Sequence, residues 1–404
     1  MRSFYDSIFF NVPHLRFPEF TGEWKETTLD KIAEITKGSG ISKGQLSEQG
    51  SLCILYGELY TKYKSEIINE VYSRTELDSS SLVKSKANDV IIPCSGETAI
   101  DISTARCVPF NNILLGSDLN IIRLKYDDGG FFAYQLNGVR KKDIACVAQG
   151  VSVVHLYGEN LKQIRVYYPA IEEQKKITHL LSLIDERIAT QNKIIEDLKK
   201  LKSAIVDMLL CNQNSEMLKL GDIGYFVRGL TYANEDVTEN KAATAVIRAN
   251  NLNYGNHVDK GEVVYVSRTP ATSQILRKGD IVICMANGSS ALVGKNSYYP
   301  FNDGQSTVGA FCGIYRTSHP LAKWLMQSRR YKRLVYQSLQ GGNGAIANLN
   351  GDDILNMSFP VMEKEKSKSI IFILEAIEKS LAVNKDLQRS YSTQKSHLLK
   401  QMFI

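Results

Sequence analysis

Turns that place glycine or asparagine beside a basic, hydroxyl or amide side chain are the features of this sequence best suited to chemistry. Glycine lets the backbone approach a phosphate, Arg and Lys neutralise its charge, and Asn, Gln and Arg can pair with base edges. In the first half of the chain the candidates are Lys37, Gly38, Ser39, Tyr56, Gly57, Ser95, Gly96, Thr98 and Gln149. In the second half they are Arg228, Gly229, Arg248, Asn250, Asn251, Asn287, Ser289 and Asn343. The turns predict a DNA-binding surface in each half, and a purely structural role is the alternative for each turn.

The sequence contains no complete catalytic motif that we recognise. Gly288 to Lys295 resembles a phosphate-binding loop, but its glycines are one residue too far apart and Asn296 replaces the required Ser or Thr. The sequence has no Pro-Pro pair, which excludes the Asp/Asn-Pro-Pro-aromatic tetrad of amino-methyltransferases, and its six histidines are scattered. Asp352 follows Gly351 and is better suited to capping a turn than to acid or base catalysis. We therefore predict no catalytic residue, no metal site and no cofactor bound by this chain.

Composition sets the broad class. With 404 residues, 43% hydrophobic and 23% charged, the chain suits two globular units plus helices. The formal net charge of +6 is compatible with a polyanionic partner but is weak support for one. The seven cysteines form no C-x-x-C pair, and no signal peptide or run of 18 apolar residues is present. These features predict a cytoplasmic protein without a membrane segment.

The segments that contain these turns form an internal sequence repeat with an offset of about 191 residues. Leu29, Ile32 and Lys37-Gly38 recur as Leu220, Ile223 and Arg228-Gly229, and Asp89 to Ile92 recurs as Asp280 to Ile283. Pro169 recurs as Pro360, and each proline precedes a long helical pattern. The repeat predicts two equivalent globular domains, each followed by a helix.

The boundaries follow from these repeats. We predict a first domain over 14–168, a first spacer helix over 169–212, a second domain over 216–359 and a second spacer helix over 360–404. Short runs rich in Ile, Val and Tyr read as strands in both domains, and 130–148 and 320–339 read as helical. The predicted fold class is α+β, with two pseudo-symmetric globular domains separated by two long helices that form an antiparallel coiled coil.

Each long helix carries an apolar seam with steps of four and three residues, the heptad pattern of a coiled coil. The seam of the first helix includes Ile177, Leu181, Ile184, Ile188, Gln191, Ile195, Leu198, Lys202, Ile205 and Leu209. Positions 193 residues later form the second seam, which includes Ile370, Leu374, Ile377, Leu381, Asn384, Gln388, Tyr391, Lys395, Leu398 and Met402.

The two seams match in their polar positions as well as their apolar ones. Both carry an amide at the fifth position, Gln191 and Asn384, which we predict to face each other if the helices pack antiparallel. A helix of about 40 residues spans roughly 60 Å, the length of about 17 base pairs. The helices therefore suit a spacer between two DNA-binding domains, and a coiled coil that only oligomerises is the alternative.

The order domain, helix, domain, helix, together with its sequence signals, resembles the specificity subunit (HsdS) of type I restriction-modification systems. The segment Pro13 to Trp24, the helix entry Pro169 to Ile177, and the stretch Gly341 to Leu349 with Pro360 carry this resemblance. The second helix entry departs from the family pattern, because Glu363 to Lys366 lacks a Glu-Gln pair. This departure puts the details of partner docking at that helix in doubt.

The resemblance implies a noncatalytic subunit whose two domains each read one half of a bipartite double-stranded DNA sequence. Its implied partners are two modification subunits (HsdM) that methylate adenine with S-adenosylmethionine, and two restriction subunits (HsdR) that use ATP and Mg²⁺. The loops of the two domains differ, as in 43–63 against 234–254, which predicts an asymmetric target. The alternatives are a two-headed adaptor that binds proteins, or a stand-alone restriction-modification enzyme.

Overall fold

The computed structural model of the chain describes residues 12–210, 216–339 and 347–404. The chain divides into two compact units. The first unit combines Met1–Lys193 with Lys385–Ile404, and the second is Ile194–Asn384. Each unit therefore contains a globular part and segments of both long helices.

The first unit contains eleven strands and six short helices within its described residues. The strands are β1 (Lys25–Thr28), β2 (Ala33–Lys37), β3 (Ser51–Ile54), β4 (Ser73–Thr75), β5 (Asp89–Pro93), β6 (Ser95–Gly96), β7 (Arg106–Val108), β8 (Leu114–Leu115), β9 (Leu119–Leu124), β10 (Val154–His155) and β11 (Arg165–Tyr168). The helices are α1 (Leu29–Ile32), α2 (Glu58–Thr61), α3 (Ala99–Ile102), α4 (Gly129–Asn137), α5 (Lys141–Val147) and α6 (Gly158–Lys162), and the long helix α7 (Ile171–Met208) begins in this unit.

Two small sheets organise the first unit. One is antiparallel with the order β2-β9-β5-β7, and the other has the order β4-β3-β8, in which β3 and β8 run parallel. Two further antiparallel pairs join β1 to β11 and β6 to β10. The central strand β5 is buried along its whole length, as its run of Val and Ile predicts.

The second unit contains twelve strands and four short helices within its described residues. Its strands are β12 (Glu216–Lys219), β13 (Gly224–Arg228), β14 (Val237–Thr238), β15 (Thr244–Ile247), β16 (Val264–Val266), β17 (Ile281–Cys284), β18 (Ala286–Asn287), β19 (Asn296–Tyr298), β20 (Ser306–Val308), β21 (Cys312–Thr317), β22 (Ala347–Asn348) and β23 (Ser358–Val361). Its helices are α8 (Leu220–Ile223), α9 (Ala322–Leu325), α10 (Arg329–Ser338) and α11 (Gly351–Leu355), followed by the long helix α12 (Lys364–Gln401).

Strand pairing in the second unit follows the same plan as in the first. The orders are β13-β21-β17-β19 and β14-β16-β15-β20, with β15 and β20 parallel, and the pairs β12–β23 and β18–β22 complete the unit. The predicted duplication is therefore confirmed at the level of strand order, and the predicted α+β class is confirmed with it. The helical stretches predicted at 130–148 and 320–339 are each divided into two short helices.

An ion pair with a buried carboxylate occupies equivalent positions in the two main sheets. Arg123 on β9 makes two hydrogen bonds to Asp89 on β5, at 2.9 and 2.7 Å. Arg316 on β21 holds Asp280 on β17 in the same two-bond manner, at 2.8 and 2.7 Å. The sequence repeat that begins at Asp89 and Asp280 thus marks a structural anchor that fixes neighbouring strands in register.

The apolar seams of the long helices face inward, as predicted. In the first unit Ile177 and Leu181 of α7 share one core with Met402 and Phe403 after the end of α12. In the second unit Ile195 lies in one cluster with Ile377 and Leu381 of α12. Within each unit the helical segments therefore run antiparallel, as predicted. Ile184, Leu374 and Gln191 are also buried, whereas Ile188, Leu198, Ile370, Asn384 and Tyr391 are partly buried.

The paired seam amides lie in different units. Gln191 is buried in the first unit, and Asn384 in the second donates from Nδ2 to the Ser380 carbonyl at 2.7 Å. The predicted approach of these two amides remains a prediction.

The lysines of the two seams each enter a partly buried charged cluster. Lys395 donates to Asp185 at 2.5 Å and also to Glu66, with its ammonium 5.5 Å from the centre of the Tyr134 ring. Tyr134 in turn donates from its hydroxyl to Asp185 at 2.8 Å. Two carboxylates thus share one lysine in the first unit.

The second unit has the complementary arrangement, two lysines on one carboxylate. Lys202 donates to Glu378 at 2.8 Å, Lys323 donates to its other oxygen, and the Lys202 ammonium lies 5.3 Å from the Trp324 ring. Burial alone would raise the pKa of Glu378, but Lys202 and Lys323 lower it below its ordinary value. In the first unit burial and Glu66 raise the pKa of Asp185 to about 6, against the opposing effect of Lys395.

Candidate nucleic-acid interface

One turn follows the parallel strand pair in each unit, and both turns are built on the same scaffold. In the first unit the Leu55 amide donates to Glu58 Oε2 at 3.0 Å, and in the second the Arg248 amide donates to Asn251 Oδ1 at 2.9 Å. Asn251 is only 2% exposed, and its Nδ2 donates to the Glu262 carbonyl at 3.1 Å. Asn251, a candidate DNA contact in the sequence, therefore serves as a buried cap of the turn.

The residues exposed on these turns differ between the units. Tyr56 and Gly57 occupy the turn in the first unit, where both are partly buried and Gly57 precedes α2. The second unit presents Arg248 and the exposed Asn250 on the equivalent turn. The shared scaffold thus carries different side chains at its tip.

Gly38 and Gly229 are required by close backbone packing. A Cβ atom on Gly38 would lie 1.9 Å from the Gly116 carbonyl oxygen, and one on Gly229 would lie 2.1 Å from that of Gly309. Ser39 is likewise engaged, since its Oγ accepts from the Val83 amide at 2.7 Å. Close packing at Gly38 and Gly229 explains why a glycine recurs at this place in both turns.

Lys37 and Arg228 precede these glycines at the ends of β2 and β13, and both side chains are exposed. The Lys37 ammonium lies 5.9 Å from the centre of the Tyr157 ring. The Tyr157 and His155 rings are stacked with centroids 6.2 Å apart. This side of the first unit therefore combines a cation with two rings, a pairing suited to phosphate and base contacts.

A small hairpin gathers three further candidates in the first unit. Ser95 and Gly96 of β6 pair with β10, and the backbones of Gln149 and His155 exchange hydrogen bonds at 2.9 and 2.7 Å. At its tip Val151 is 97% exposed. Thr98 is separate in role, because its Oγ1 caps α3 by accepting from the Asp101 amide at 3.1 Å.

The second unit gathers its candidates around a cavity of about 500 Å³. Arg248, Asn250 and Asn287 line it together with residues that the sequence did not single out. Those residues include Tyr232, Phe311, Ala249, Ala286, Gly309 and Ala310. Ser289 lies nearby on the chain and donates its amide to Asn287 Oδ1 at 2.9 Å. Asn343 lies outside the described residues.

The missed residues had no local motif to mark them. His155, Tyr157 and Phe311 stand in ordinary apolar or strand-like stretches, and only the fold brings them beside Lys37 or Asn287. The hydrogen bond from the Met285 amide to the Phe311 carbonyl matches that from Cys94 to Asp118, so the structure makes Phe311 the equivalent of Asp118. An exposed phenylalanine thus replaces an aspartate at one repeat position.

Neither a metal-binding cluster nor a membrane-spanning helix occurs in the part of the chain that the structure describes. No group of three or more His, Cys, Asp or Glu side chains within 12–210, 216–339 and 347–404 could hold a metal ion. In the same ranges, no helix combines the length and apolar character needed to cross a bilayer.

The sequence of the chain is similar to that of known specificity domains and subunits. Residues 21–200 match the family model described as type I restriction modification DNA specificity domain. The chain is 29% identical over 150 residues to the specificity subunits of the type I restriction enzymes EcoKI of Escherichia coli K12 and StySPI of Salmonella potsdam. These matches cover 35% of this chain and 31% of each relative, so the chain matches about a third of the length of the curated relatives.

Solved structures extend the likeness to the fold of the whole chain. The S subunit of a type I restriction-modification system from M. genitalium superimposes with a TM-score of 0.62 at 17% identity, covering 97% of this chain and 99% of that one. A chain from a structural study of complex assembly and conformational transition of the type I R-M system gives a TM-score of 0.56 at 13% identity, covering 94% and 97%.

The fold and the matched sequence define a two-unit protein with a DNA specificity domain. Residues 21–200 thus match the specificity domain of type I restriction-modification systems, and the fold of the chain is similar to that of an S subunit, in agreement with the resemblance in its sequence.

Proposed function

We propose that the chain is the DNA-specificity subunit of a type I restriction-modification complex, and that each unit reads a different half of an asymmetric, bipartite duplex target. The observation that carries this proposal is the pairing of one scaffold with two different sets of turn side chains. Glu58 and Asn251 cap equivalent turns, but the tips present Tyr56 and Gly57 in one unit and Arg248 and Asn250 in the other. Two DNA-binding domains that recognise different sequences need the same turn backbone with different side chains on it, because base contacts come from the side chains.

The proposal includes the partners implied by the family. The chain docks two modification subunits, which methylate adenine with S-adenosylmethionine, and two restriction subunits, which use ATP and Mg²⁺. The chemistry then belongs to those subunits, and this chain supplies sequence recognition in the cytoplasm. The match to specificity subunits supports this assignment.

Adenine methylation mapping tests the proposal. The full chain is co-expressed with a type I modification subunit in a host whose DNA lacks other adenine methylation. We expect methylation at one bipartite sequence whose two halves differ. A control with the modification subunit alone should leave the DNA unmethylated at that sequence. Methylation without sequence dependence would contradict the proposed role in DNA recognition. Methylation at a palindromic motif would contradict the proposed asymmetry of the target.

A further inference from the structure

The cavity of about 500 Å³ in the second unit has a lining that differs from the rest of the predicted interface. Phe311 stands at it with 64% of its surface exposed, and Tyr232 supplies a second ring. Arg248, Asn250 and Asn287 supply a guanidinium and two amides, and Ala249, Ala286 and Ala310 supply apolar surface. A concave apolar site with a few placed polar groups is typical of a pocket for a small planar ligand.

The equivalent place in the first unit is built differently. Gly116 and Gly309 make matching hydrogen bonds to Ile54 and Ile247, which align the two turns residue by residue. In this alignment Ile41 and Leu55, both buried in one apolar cluster, replace Tyr232 and Arg248.

The remaining polar and aromatic lining residues are also replaced in the first unit. Gly57, Gly96 and Asp118 stand in place of Asn250, Asn287 and Phe311. The functional groups of the cavity are therefore specific to the second unit, although the scaffold is shared.

One donor of the lining residue Arg248 is left unused. Its Nε is buried and has no hydrogen-bond partner among the described residues. A buried donor left without an acceptor is costly, so the Arg248 side chain would gain from turning this nitrogen toward an acceptor on a bound group. The guanidinium and the Asn250 and Asn287 amides offer the planar donor and acceptor pattern that pairs with base edges, and Phe311 offers a face for stacking.

We propose that this cavity holds one nucleobase turned out of the duplex in the half-site contacted by the second unit. The inference rests on the proposed function. A base inside a duplex has both faces stacked and cannot enter a recess beside Phe311, whereas an extruded base can stack there while Arg248 and the amides contact its edge. A phosphate suits the cavity less well, because Arg248 is the single cationic residue among its described lining.

Mismatch binding tests this inference on the full chain in complex with its modification subunit. Duplexes carry the mapped target with a single mismatch at each position in turn, and their affinities are compared with the paired target. A mismatch lowers the energy needed to extrude a base, so one position in the second unit's half-site should bind at least about tenfold more tightly. Mismatches at other positions of that half-site should weaken binding.

Variants of two cavity residues test whether tighter binding of a mismatched duplex arises from the cavity. Phe311→Ala and Arg248→Met should abolish the gain while the chain still binds the paired target through the first unit's half-site. Tyr336→Ala removes another exposed aromatic of the same unit, outside this cavity, and should keep the gain. A gain that persists in both cavity variants would come from the modification subunit and overturn the inference.

The result also separates the inference from the proposed function. Sequence-specific binding of the paired duplex with no mismatch gain at any position would overturn the inference alone. Failure to bind any duplex specifically would overturn the proposed function, and the inference with it.

Discussion

Lys395 donates to Asp185 at 2.5 Å between two antiparallel helical segments of the first unit. In the second unit Lys202 donates to Glu378 at 2.8 Å, and each partner in this pair lies 193 residues from its counterpart in the other. The same offset relates the two heptad seams in the sequence. The ion pair is therefore part of the internal duplication. Its surroundings differ between the units, because Lys395 also contacts a second carboxylate, Glu66, and Glu378 also contacts a second lysine, Lys323.

This difference predicts unequal effects of removing the two lysines. Lys395→Met leaves Asp185 and Glu66 without their shared cation and should destabilise the first unit by about 3–5 kcal/mol. Lys202→Met leaves Glu378 paired with Lys323 and should destabilise the second unit by only about 1–2 kcal/mol. Chemical denaturation of each variant measures both losses.

The two tryptophans of the chain let the units be followed separately. Trp24 is buried in the first unit and Trp324 in the second, so Trp324→Phe and Trp24→Phe leave one reporter per unit. Equal losses from Lys395→Met and Lys202→Met, each read from its own unit's tryptophan, would contradict the account of the two clusters.

The raised pKa of Asp185, about 6, predicts a pH dependence of stability. As pH rises from about 4 to 6, the Asp185 carboxyl group loses its proton in the unfolded chain before it does so in the folded chain. The stability that protonated Asp185 contributes at low pH is therefore lost over this range. Asp185→Asn has no such proton. The free energy of unfolding of the unchanged protein should therefore fall relative to this variant over that range, by on the order of 2 kcal/mol.

Glu378→Gln is the matched control, with the opposite sign. The lowered pKa of Glu378 means that its contribution is present above its ordinary pKa and is lost as pH falls. The unchanged protein should thus lose stability relative to Glu378→Gln on acidification. The same pH trend in both comparisons would show that the two clusters do not set these pKa values.

Gly38→Ala and Gly229→Ala should destabilise their units, because each new Cβ would meet a backbone carbonyl oxygen at 1.9 or 2.1 Å. A loss of about 2–4 kcal/mol is expected from the strain of moving packed backbone. Gly40→Ala is the control, since no atom lies within 4 Å of its added Cβ. Thermal unfolding distinguishes them, and unchanged stability in both packed variants would refute this structural role.

Lys37→Ala and Arg228→Ala should weaken DNA binding without changing stability. If each side chain neutralises one phosphate, each substitution should reduce the slope of log affinity against log salt concentration by about 1. Titration of target duplex over a range of salt concentrations measures this slope. Lys200→Ala, which removes an exposed lysine of α7, serves as the control and should leave the slope unchanged.

Local pattern and duplication in the sequence predicted the two units and the two long helices, whereas the helical stretches predicted at 130–148 and 320–339 are each two short helices. The repeats of Leu29 as Leu220 and of Asp89 as Asp280 predicted the units, and the heptad seams predicted the long helices because such a periodicity comes directly from burial of one face. The antiparallel packing of those helices was an expectation from the family resemblance. The side chain of Lys395 illustrates what the pattern could not supply. Its contact with Glu66, 329 residues away, depends on how the chain folds back.

The candidate interface was only partly accessible from sequence for the same reason. Arg248, Asn250 and Asn287 were identified as suitable residue types, but their convergence on one cavity with Phe311 depends on three separate segments meeting. Asn251 has an equally suitable side chain, yet the fold uses it to cap a turn. Residue type therefore identifies candidates, and only tertiary packing separates a surface contact from a scaffold contact.

Duplication of one reading domain tests the central claim most directly. In this chain, residues 216–359 are replaced by a second copy of 14–168, and the variant is expressed with the modification subunit for adenine methylation mapping. If each unit recognises its own half-site, the methylated sequence should contain the half-site of the first unit twice. The half-site of the second unit should be absent from it. An unchanged target in the folded variant would contradict the claim that the two units read DNA independently.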